Sequence, residues 1–108
     1  MADYLWIESR DPFESGGFAQ RCELVSALLA DGAQVTLFLV ENGVLAARAA
    51  ARVREIEELG RRGVAVLADD FALRERGITA AHLARGVKSS PIDALVVELG
   101  RGAKAIWN

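Results

Sequence analysis

Cysteine occurs once in the sequence, at Cys22, so no internal disulfide braces the fold, and a lone thiol fits a reducing compartment. Histidine also occurs once, at His82, with no serine or cysteine at a spacing that would pair it into a nucleophile and base. Basic charge has no surplus: 13 Lys and Arg stand against 15 Asp and Glu, a formal charge of −2. That removes the basic field that nucleic-acid binding usually needs. No apolar run approaches the ~18 residues of a membrane span. Met1-Ala2-Asp3 does not lead a basic segment into a long apolar one, so no secretory signal is expected and the reading is cytoplasmic. What is present is ordinary globular material. Apolar residues make up 52% and charged residues 26%, which excludes the low hydrophobicity and high net charge of disorder. A chain of 108 residues suits one domain spanning 1–108. Such a chain buries roughly 65% of its unfolded surface, enough for one core without metal or disulfide help.

Tyr4 to Ser9 reads as a first strand, because Tyr4-Leu5-Trp6-Ile7 is nearly continuously apolar, as a sheet covered on both faces requires. A turn-rich stretch from Arg10 to Gly17 follows. Phe18, Cys22, Val25 and Leu29 lie at helical spacing and predict a helix to Asp31, with Gln20, Arg21, Glu23 and Ser26 off the stripe. Gln34 to Val40 is a second strand, and Glu41-Asn42-Gly43 turns the chain. Leu45, Ala49, Val53, Ile56 and Leu59 predict a second helix over 45–60. Val64 to Leu67 reads as a third strand and Asp69 to Arg76 as a loop with one helical turn. Thr79 caps a short helix from Ala80 to Arg85. Ser90-Pro91 opens a last helix over 92–99, and Ala103 to Trp107 is a final strand. Trp6 and Trp107 are expected in the core.

Alternating strands and helices imply right-handed crossovers: an α/β, three-layer α/β/α sandwich with a mainly parallel sheet of four to five strands. Ligands gather at the carboxyl ends of strands in such sheets, which selects Arg10, Asp11, Glu41, Asn42, Asp69, Asp70 and Arg76 as candidate ligand-binding residues. Converging Asp11, Asp69 and Asp70 would resemble the acidic Mg²⁺ pocket of receiver domains, with Lys104 as the later lysine. Against this, the acidic pair that should follow strand one is missing. Ser15-Gly16-Gly17 before a helix offers backbone N–H groups to an anion, to which Arg10, Arg74 and Arg76 would add positive charge if the fold brought them there; a plain loop explains it better. No catalytic residue, metal or cofactor is assigned.

The order of parts resembles the DsrE/DsrF-like sulfur-relay family, which includes the DsrE, TusD and YchN groups. Three stretches carry the resemblance: Glu8-Ser9-Arg10-Asp11-Pro12-Phe13 after strand one; Gly32 to Val44, with Val35, Phe38 and Gly43-Val44 as the second strand and turn; and Val64-Ala65-Val66-Leu67 followed by Arg76-Gly77-Ile78. The resemblance implies homo- or hetero-oligomers and a first-strand-central order such as 3-2-1-4. It also implies a persulfide-bearing cysteine in the strand-three loop. Counting back from Arg76 reaches Asp69, or Ala68 with a one-residue slip. Persulfide transfer needs a thiolate, and neither residue supplies one. The implied role is a non-catalytic subunit, self-associated or partnered with a cysteine-bearing DsrE-like paralogue. The alternative is a small-molecule or anion-binding module using the strand-end loops.

Overall fold

The computed structural model describes residues 3–14 and 16–108. Among these, five strands form one all-parallel sheet: β1 (Asp3–Glu8), β2 (Gln34–Leu39), β3 (Ala65–Asp69), β4 (Val87–Ser90) and β5 (Lys104–Trp107). Their order is β4-β3-β2-β1-β5. The helices are α1 (Phe18–Ala30), α2 (Arg54–Arg61), α3 (Asp70–Glu75) and α4 (Asp93–Gly100). No helix among the described residues is long and apolar enough to cross a membrane.

The handedness of the crossovers sets the layers. From β1 to β4 the chain steps in one direction across the sheet, and right-handed connections place α1, α2 and α3 on one face. The return from β4 to β5 runs the other way and carries α4 over the opposite face. Side chains follow this division. Trp6, Leu37, Leu39, Val66 and Ala68 pack with Phe18, Cys22 and Val25 of α1, Ile56 and Leu59 of α2, and Ala72 and Leu73 of α3. Leu5, Ile7, Phe38 and Val40 form the second cluster, against Ala94 and Leu95 of α4. The α/β/α sandwich expected from the alternating elements is the observed one, but its second helical layer is one helix of eight residues.

Several expected elements differ. The sheet extends beyond 3-2-1-4 because Val87–Ser90 adds a strand outside β3. Four residues, two of them exposed, carry too little apolar alternation to announce a strand. Ser90 is a buried end of that strand, its hydroxyl directed to the Pro91 carbonyl at 3.1 Å, and α4 begins at Asp93. The second helix loses its first half: Glu41–Ala47 and Ala49–Ala51 are 3-10 turns, and α2 is only Arg54–Arg61. Alanine favours α-helix locally, but tertiary contacts prevail. Ala46 and Ala47 are buried, Ala47 O accepts from Ala84 N at 2.7 Å, and Arg48 bridges Leu83. Trp6 is core, whereas Trp107, on the edge strand, is 62% exposed.

Candidate functional site

A carboxylate ends β1, an interior strand between β2 and β5, where the sheet's polar rim begins. Glu8 is the last residue of β1 and is 1% exposed. Alternation puts it on the face of Trp6, beneath the start of α1. Arg21, one turn into α1, closes on it: Nε lies 3.0 and 2.8 Å from Oε1 and Oε2, and Nη2 lies 2.6 Å from Oε2. The Trp6 indole adds a donor to Oε1 at 3.3 Å. Arg21 Nη1 also donates to Gly16 O at 3.1 Å, and the guanidinium sits 5.9 Å from the Phe18 ring centroid. One side chain therefore ties β1, α1 and the loop between them. Sequence patterning missed both partners. It put Arg21 off the buried stripe of α1, and it placed Glu8 in the first strand, Tyr4 to Ser9, without giving its side chain a partner. A charge closing an apolar strand covered on both faces was the available signal, because such a charge needs a partner.

The predicted rim residues meet only in part. Asn42 and Arg76 do: Arg76 Nε and Nη2 donate to Asn42 Oδ1 at 3.2 and 2.8 Å, and Nη1 donates to Ala72 O at 3.1 Å. Asp69 lies at the same corner, at the end of β3 rather than in a loop, and Oδ2 accepts from Ala72 N at 3.3 Å as the cap of α3. Asp70 turns away. It faces Arg74 at 3.8 Å and lines a separate cleft of about 500 Å³ with Leu73, Thr79 and Ser89. Glu41 is exposed at φ +49°. Arg10 is exposed, and Asp11 Oδ1 accepts from Phe13 N at 2.9 Å, closing its own turn. Ser15 of the Ser15-Gly16-Gly17 turn lies outside the described residues.

The receiver-like arrangement is not formed. Lys104 opens β5 and pairs with Tyr4, at the amino end of the sheet, opposite Asp69 and Asp70. Among the described residues no three His, Cys, Asp or Glu side chains form a metal-sized group.

Cys22 points from α1 into the core and is 7% exposed. It borders a cleft of about 290 Å³ whose ionisable neighbours Glu23, Glu55 and Glu58 are acidic. Burial, then Glu55 and Glu8, push the thiol up to about 12, with Arg21 opposing. A thiolate is therefore scarce at neutral pH. Iodoacetamide should label Cys22 at pH 8 only after denaturation; rapid native labelling would contradict the packing. The unfolded thiol ionises near 9.0, the folded one near 12, so stability should fall as pH rises through that window. The loss is at most ~1.4 kcal/mol per pH unit. Cys22→Ala should flatten that alkaline slope in urea titrations.

The fold and rim define a class: a parallel α/β sandwich whose polar side chains collect where β1, β2 and β3 end. No protein-family model matches the chain, and no curated protein matches it in sequence. Solved structures do match. The protein of unknown function MTH1491 from Methanobacterium thermoautotrophicum superposes with a TM-score of 0.89 at 20% identity, covering 100% of both chains. The ychN protein from E. coli gives 0.88 at 20% identity, again over 100% of both. BT1422 from Bacteroides thetaiotaomicron, a conserved protein of unknown function, gives 0.81 at 17% identity over 98% of this chain and 94% of its own. The chain therefore has the YchN-like fold.

Proposed function

We propose that this protein is a DsrE-like assembly subunit that carries no sulfur itself and works through association with its own copies or with a cysteine-bearing paralogue. One observation carries the reading. The residue at the carboxyl end of β3, Asp69, is a carboxylate engaged as the cap of α3, while the chain's lone thiol is buried behind α1. A carboxylate holds no transferable sulfur, and a thiol whose proton is retained to about 12 is a poor nucleophile. The likeness of fold to the ychN protein supports the family side of the reading. The anion-binding alternative has weaker support, because the Arg76 guanidinium already donates to Asn42 and Ala72.

Exposure of the folded protein to polysulfide, followed by intact-mass measurement, tests this. The wild type should gain no sulfur, whereas Asp69→Cys, at a half-exposed strand end, should gain one sulfur atom that dithiothreitol removes. Uptake and onward transfer of sulfur by native Cys22 would overturn the reading. Loss of the Asp69 cap should itself lower stability by about 1 kcal/mol, leaving the variant folded.

A further inference from the structure

The sheet's second face poses a question of cover. Every residue of α4 is half-buried or exposed, yet the helix reads Asp93-Ala94-Leu95-Val96-Val97-Glu98-Leu99-Gly100. Ala94 and Leu95 face the sheet. Away from it stand Ile92 at 47%, Val96 at 64%, Val97 at 51% and Leu99 at 42% exposure. A helix apolar on both sides belongs between two surfaces, and this chain supplies one. Trp107 adds to the same sheet face, since its strand partner is Ile7 of the second core cluster. These five side chains expose on the order of 500 Å², the upper end of what a monomer leaves open and much of the apolar part of one side of a standard interface.

The charges on α4 say what fits there. Its first turn carries exposed Asp93, and its end carries Arg101, 71% exposed, with a 3.5 Å contact to Glu98. We propose that α4 pairs antiparallel with α4 of a second copy about a two-fold axis at Val97. Position 97 lies midway between 93 and 101, so each Asp93 meets the other copy's Arg101, twice per pair. Antiparallel helices also oppose their dipoles favourably. Gly100 falls on the outward side, two turns from Asp93, and its lack of a side chain lets the backbones approach. An isologous contact of this kind needs one self-complementary patch, and α4 has that property. The inference rests on the assembly reading above and gives it a surface.

Sedimentation equilibrium on the full chain decides it. Wild type should be a dimer or an assembly built of dimers. Val97→Asp should halve the mass while circular dichroism and the melting curve stay native-like. Asp93→Arg and Arg101→Asp should each weaken association about tenfold. The double variant should restore it, and so should an equimolar mixture of the two single variants, because every contact pairs position 93 with 101. A wild type that is monomeric and binds no paralogue overturns both this inference and the assembly reading. An assembly unchanged by Val97→Asp and by both charge reversals overturns the α4 interface alone. So does a monomeric wild type whose α4 face instead binds a different protein.

Discussion

Arg21→Ala should lower folding stability by about 3–5 kcal/mol, the range for removing one member of a buried ion pair. The loss is large because the survivor has nowhere to go. Glu8 is 1% exposed, at the end of the interior strand β1, and three of its four close polar contacts come from the guanidinium. Without Arg21 the carboxylate keeps only the Trp6 indole, and burying an under-bonded charge is costly. Urea unfolding followed by circular dichroism measures the loss. The paired replacement sharpens the test. Glu8→Gln with Arg21→Met leaves no buried charge, so the double variant should be more stable than the sum of its singles by at least ~1 kcal/mol. Simple additivity would show that the two side chains do not act as a unit. Loosening this tie should also free the Gly16 carbonyl and the loop it anchors, detectable as faster amide exchange across residues 9–17.

Gly43→Ala is expected to be nearly as damaging, by about 3 kcal/mol or more, for a steric rather than a conformational reason. Its backbone is not among the left-handed glycines. A Cβ placed there would overlap the Glu8 carbonyl oxygen and stand 3.0 Å from the carbonyl carbon, both of them backbone atoms inside the sheet. Val40 N donates to that same carbonyl at 3.0 Å, so β1 cannot retreat without breaking the ladder to β2. By comparison, Gly60→Ala meets open space on α2 and should change little or stabilise slightly. Equal losses at the two positions would refute the close-approach explanation. The glycine in the turn after β2 thus has a physical cause: the chain crosses directly over the end of the neighbouring strand.

The parts of the site that were legible before folding were those where residue type and position coincide. Asp69 and Arg76 sit at a strand end and after the following helix, and both fall at one corner because β3 and α3 are consecutive. Asn42 joins them because β2 and β3 are neighbours. Asp70, one residue beyond Asp69, diverges because the first helical turn rotates successive side chains by about 100°. Glu8 and Arg21 were hidden for the opposite reason. Each is ordinary in its own segment, and only the packing of α1 on β1 makes them partners across thirteen positions.

The linear order of apolar strands and helices determined the parallel sandwich by itself, through the period of each segment and the handedness of its crossovers. The same order determined that the lone cysteine lies on a helix stripe rather than at a strand end. Tertiary structure alone decided which charges are buried together, since burial depends on neighbours far away in the chain. It also decided that the alanine-rich segment gives up its helix, because contacts with Leu83 and Ala84 outweigh a local preference of less than ~1 kcal/mol per residue. Finally, it decided that α4 has one apolar side open, because a single return crossover is all that covers that face of the sheet.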